Sequence, residues 1–204
     1  MSWIKVITYE DAGGKLLDLY DRIKGRDDNG DNVDNIMLAH SLRPHTLEGH
    51  MLLYKYVLHH PKNTVAGWFL EAVGVYVSML TKCDYCIEHH CAGMGRLLNN
   101  DARSKVIREA FESGNWESVF GPRESAALKY AGKLTEHPSN VTETDIQSLR
   151  EAGWEDGEIL EINQVTSYFA YANRTVLGLG INTDGDILGL APSDSSDLKN
   201  WRHQ

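Results

Sequence analysis

The last third of the chain carries one continuous apolar face. Ile159, Ile162, Val165, Phe169, Ala172 and Val176 recur at steps of three and four residues, the period of an α-helix rather than the alternation of a strand. A face that long has to be covered, and helices elsewhere in the chain supply the cover. Leu16, Leu17, Leu19, Tyr20 and Ile23 form a shorter stripe within residues 10–24 that stops at Gly25. Segments 35–42 and 46–60 read as helical, with Pro44 between them and Pro61 closing the second, because the residue before a proline disfavours helical backbone. Residues 64–80, 82–98 and 102–112 give three more helices. Pro122 then stands where a helix running to residue 136 begins. Thr142 and Asp145 resemble a capping box for a short helix that ends at Gly153. No alternating strand pair occurs, so the expected fold class is all-α. One domain over residues 1–185 is expected, made of an N-terminal helical part (1–60), a central part (61–136) and C-terminal helices (137–185). A tail (186–204) follows, loose or packed on a neighbour.

Composition removes several function classes. The formal net charge of −9 argues against a nucleic-acid partner, which needs a basic footprint. The longest apolar run, "TVAGWFLEAVGVYVSML", carries Glu71 near its centre, so a buried helix is expected and not a membrane span. The first residues, "MSWIKVITYEDAGG", show neither a basic nor an apolar leader segment, and a cytoplasmic setting is expected. "RDDNGDNVDN" (26–35) is acidic, but counting from Asp27 puts Leu38 where a calcium loop needs glutamate, so a solvated loop is expected. His45, His59 and His60 either line a pocket or lie exposed, and Tyr168, Tyr171 and Asn173 are candidates for a substrate cavity, with packing the simpler reading.

All three cysteines fall within "CDYCIEHHC", residues 83–91, which points to redox or metal chemistry and not to a disulfide framework. With Thr81 as N-cap and Asp84 three residues on, Cys83 falls in the first turn, where a thiolate is favoured. Cys86 lies at i+3 from Cys83, roughly 5–6 Å between Cβ atoms, a spacing that admits a reversible disulfide. His90 follows on the same face. Cys91 leaves that face and reads as a small buried hydrophobe, and His89 as a surface or interface residue. If 64–80 and 82–98 form an antiparallel hairpin, Glu71 and His90 stand at nearly equal distances from the turn and can meet. A Glu–His pair next to a dithiol is a proton relay, with Cys86 the thiol placed to lose its proton. Zinc also uses CxxC, but Cys83, Cys86 and His90 supply three ligands where four are wanted; no metal or cofactor is expected.

Glu71, eleven residues, Cys83, two residues, Cys86, three residues, His90 resembles the E-x11-C-x2-C-x3-H motif of the alkylhydroperoxidase AhpD family, within the carboxymuconolactone decarboxylase superfamily. The resemblance extends through residues 123–181 and "YEDAGGKLLDLYDRIKG" to the uncharacterised peroxidase-related branch. It implies an all-helical homo-oligomer and a thiol peroxidase that reduces organic hydroperoxides or hydrogen peroxide. Glu71 and His90 would be the relay, Cys86 the attacking thiol and Cys83 the one that closes the disulfide, regenerated by a dithiol reductant. Tyr85 stands where the best-known members carry a histidine. Because Cys83 lies nearest the helix start, it is expected to be the more accessible sulfur. A redox-sensing module and a lactone decarboxylase are the alternative readings.

Overall fold

The segment "GWFLEAVGVYVSML" is apolar around its whole circumference, and a helix of that kind has to be surrounded. In the computed structural model, which describes residues 2–24, 32–192, 195–197 and 200–203, it is the central helix α4 (Gly67–Leu80). The other helices are α1 (Lys15–Ile23), α2 (Asn35–Ala39), α3 (Pro44–Leu58), α5 (Asp84–Leu98), α6 (Asp101–Glu112), α7 (Pro122–Glu136), α8 (Glu143–Glu151) and α9 (Asp156–Leu179). α4 packs on α5, α9 and α7, and α3 lies across α9. The fold is all-helical; among the described residues the β-structure is one isolated bridge, Pro192 to His203, and no helix is long and apolar enough to cross a membrane.

Several boundaries differ from the sequence reading. The first helix begins at Lys15 and not at residue 10. Pro44 is the first residue of α3 and not a separator, because a ring-fixed φ and a missing N–H cost nothing at that position. α4 starts at Gly67 because the Thr64 and Val65 N–H groups donate to the Glu161 carboxylate, at 2.9 Å and 2.8 Å, outside any helix. Residues 26–31 of the acidic loop lie outside the described residues. Asn173 is not in a cavity: its amide donates to Thr81 Oγ1 at 2.9 Å and its oxygen accepts from Ser78 Oγ at 3.1 Å, stapling α9 to the end of α4.

The expectation of a tail that is loose or rests on a neighbour is overturned for its described residues. Trp201 is fully buried under the Arg22 guanidinium, 3.5 Å from the ring centroid. The buried Lys55 ammonium donates to the carbonyls of Asp197 and Asn200, and the His203 N–H donates to Ile23 O at 3.1 Å. A lysine cannot be buried without such acceptors, so the chain end wraps back onto α1 and α3.

At Gly74 the ring of Phe169 lies across α4, and an added Cβ would come within 2.1 Å of the ring. Gly74→Ala is expected to lower stability by about 2 kcal/mol, although alanine would ordinarily gain about 0.5–1 kcal/mol in a helix. A fall in Tm of about 5 °C in thermal unfolding checks this. An unchanged Tm would mean that Phe169 repacks freely.

Candidate active site

The turn between α4 and α5 decides where the cysteines point. Thr81 closes α4 and does not open α5: its hydroxyl donates to Val77 O at 3.1 Å and Ser78 O at 3.2 Å. Lys82 then takes a left-handed φ of 57°, and Cys83 becomes the N-cap of α5. The capping box expected from Thr81 and Asp84 is therefore absent, because the hydroxyl is already bound to the helix it ends. The Cys83 N–H donates to Ser78 O at 2.9 Å.

Cys83 and Cys86 approach to 3.5 Å. A hydrogen bond from the Cys86 thiol holds the Cys83 thiol below its ordinary range against the opposing effect of burial, and the Cys86 N–H adds to it. Cys86 is pushed well up by donating that bond and by burial. The shared hydrogen bond thus favours negative charge on Cys83 over Cys86. Neither sulfur is open to solvent: Cys83 is 0% and Cys86 2% exposed. Cys86 borders a cavity whose lining does not include Cys83.

Glu71 and His90 meet across the α4–α5 pair, with His90 Nδ1 2.6 Å from Glu71 Oε2. His59 Nε2 stands 3.6 Å from the other carboxylate oxygen, Oε1. Burial works to raise the Glu71 carboxyl, but the charges of His90 and His59 and the His90 hydrogen bond outweigh it, and Glu71 is held below its usual range. An ionised Glu71 makes His90 Nδ1 a donor and leaves Nε2 for other chemistry. Gly93 allows this approach, since a Cβ there would stand 3.3 Å from Glu71 Oε1. The Phe169 ring meets the His90 ring edge-on at 4.6 Å between centroids, fixing its tilt.

The wall of the cavity includes Asp34, His50 and Tyr54, which the sequence did not single out, together with Tyr85, His89 and Tyr168. His89 is buried and not a surface residue, with Nε2 3.1 Å from Asp186 Oδ2. Tyr85 donates to the same oxygen at 2.8 Å. His50 had a sequence signal, standing among Leu47, Met51 and Tyr54 on the apolar stripe of α3. Asp186, in a polar loop, had none. His59 reaches the site, His45 is exposed, and His60 and Tyr171 lie outside the cavity lining. Among the described residues no group of three His, Cys, Asp or Glu side chains could hold a metal ion. Burial pushes the Cys91 thiol up to about 11, which leaves it chemically quiet.

No protein-family model matches the chain, and no curated protein sequence does. Solved structures do. An uncharacterised peroxidase-related protein from Ralstonia eutropha JMP134, described as an alkylhydroperoxidase AhpD core, superposes with a TM-score of 0.78 at 21% identity, covering 91% of this chain and 93% of its own. A peroxidase-related protein from Silicibacter sp. TM1040 gives 0.66 at 22% identity over 78% of this chain and 81% of its own. The debrominase Bmp8, in complex with 2,3,4-tribromopyrrole, gives 0.69 at 16% identity over 91% of this chain and 95% of its own. The helices and their order, shared at such low identity, give this chain the AhpD-like fold of the peroxidase-related proteins.

Proposed function

We propose that the protein is a thiol peroxidase working through a Cys83–Cys86 dithiol/disulfide cycle, with Glu71 and His90 as the proton relay. The observation that carries this reading is the position of Cys86, 3.5 Å from Cys83 on one side and bordering a cavity that it shares with His90 on the other. As the peroxide enters, the proton held between the sulfurs moves to Cys83 and the thiolate forms on Cys86. That sulfur attacks one peroxide oxygen; the O–O bond breaks, and the leaving oxygen takes a proton from His90 and departs as an alcohol or water. Cys83 then displaces the hydroxyl of the Cys86 sulfenic acid as water, forming the disulfide. An external dithiol reduces it by exchange, and one proton released there returns to His90.

The test is steady-state reduction of hydrogen peroxide and of cumene hydroperoxide with excess dithiol. Many turnovers are expected from the wild type, with His90→Ala slower by about 10²-fold. One stoichiometric oxidation without turnover would replace the enzyme by a redox switch. No thiol oxidation at all would end both readings.

A further inference from the structure

The cavity beside Cys86 is small and partly covered, and its lining mixes polar and apolar side chains. Its free volume is about 30 Å³, enough for about two water-sized positions. Leu190, at the end of the strap 186–190 that runs on from the turn after α9, forms part of its wall. Asp186 pins the strap, accepting from the Asn35 N–H at 3.0 Å and from Tyr85 Oη at 2.8 Å, with His89 Nε2 at 3.1 Å. Three residues on, Gly189 (φ 81°) lies so close to α5 that an added Cβ would stand 2.9 Å from Ala92 Cβ.

Inside, His50 is buried and neither ring nitrogen has a hydrogen-bond partner. A buried imidazole left in that condition costs stability, so its polar atoms are explained by something that enters the cavity. Burial, with the nearby His40 and His203, pushes its pKa down to about 3. The ring is therefore neutral at ordinary pH and presents one donor and one acceptor. Burial likewise keeps the stacked phenols of Tyr54 and Tyr168, 5.6 Å apart, protonated.

We infer that this cavity is a hydrogen peroxide site, in which His50 hydrogen-bonds the peroxide next to Cys86 and the strap 186–190 excludes organic hydroperoxides. The inference rests on the peroxidase reading above. Each oxygen of hydrogen peroxide both donates and accepts, which matches a neutral imidazole, and two bonded oxygens fit the space. A cumyl or other bulky group does not fit until the strap lifts. The bonds made and broken are those already given, with water as the leaving product.

The experiment follows oxidation of the reduced protein by hydrogen peroxide and by cumene hydroperoxide in stopped flow, with thiol titration to count the sulfurs consumed. The wild type is expected to favour hydrogen peroxide by about 100-fold or more, since misfit in a narrow pocket discriminates at this level. His50→Leu should slow the hydrogen peroxide reaction about tenfold, with His50→Gln recovering most of the rate by restoring a donor and an acceptor. Gly189→Ala, which pushes the strap off α5 without altering the cavity's polar groups, should raise the cumene hydroperoxide rate by about tenfold. Equal rates for the two peroxides in the wild type, or a His50→Leu variant as fast as the wild type, would overturn the inference and leave the peroxidase standing. Oxidation by neither peroxide would overturn the peroxidase itself, and this inference with it.

Discussion

Replacing Cys86 by serine is expected to abolish peroxide turnover, a loss of more than about a thousandfold, because removing the nucleophile from groups that act as a unit removes the whole step. The fold should survive, since the change is nearly isosteric and Cys86 carries no disulfide in the resting protein. Cys83→Ser should differ in kind. It leaves the sulfur that borders the cavity, so one oxidation to sulfenic acid still occurs. No partner sulfur is then available to close the disulfide, and turnover stops. Mass spectrometry with a sulfenic-acid trap separates the two variants: an adduct on Cys86 in Cys83→Ser, and none on Cys83 in Cys86→Ser. Cys91→Ala should turn over like the wild type, since its thiol stays protonated. Turnover retained in Cys86→Ser would reverse the assignment of the two cysteines.

The second large effect concerns stability and not rate. Asp34 is buried among Tyr85, His89 and Asp186; burial pushes its carboxyl up to about 7, with the charge of His89 opposing and that of Asp186 assisting. In the unfolded chain the same group has its ordinary value of 3.8. Between these values the native protein keeps a proton that the unfolded chain has released, so stability falls as pH rises through this window and levels off above it. The stabilisation is fully present below the unfolded value and lost once the folded one is passed. A shift of this size corresponds to roughly 4 kcal/mol. Asp34→Asn cannot ionise, so relative to the wild type it should gain that stability between pH 4 and pH 8. His50 and His203, pushed down by burial to about 3 and about 4, run the other way. Their stabilisation is present above 6.5 and lost as pH falls toward the folded values, and it is common to both proteins and cancels in the comparison. Urea unfolding of both proteins at pH 4.5, 6 and 8 measures the gap. A gap that does not grow with pH would show that Asp34 is ionised in the fold.

Much of this architecture is legible in the chain because helices announce themselves through local spacing. The apolar face from Ile159 to Val176, the Thr142–Asp145 capping box and the largely apolar α4 each follow from neighbours within a turn or two. The Glu71–His90 contact is legible for a related reason. Two consecutive helices joined by a tight turn place residues at equal distances from that turn opposite each other, so one long-range contact reduces to counting. Thr81 shows where counting stops. A threonine at that position can end one helix or begin the next, and α4 claims its hydroxyl through Val77 O and Ser78 O, which moves the start of α5 to Cys83 and turns that sulfur inward.

By itself, then, the sequence determined the helical class and the order of the helices, which depend on short-range periodicity, and brought Glu71 opposite His90 by counting from one turn. Only the tertiary structure decided that Cys86 meets the cavity, that Asp34 is buried, and that His50, His59, His89 and Asp186 join the site. Those outcomes depend on burial and on contacts between segments as much as 151 residues apart, such as Asn35 with Asp186. Desolvation and long-range packing have no local signature in a chain.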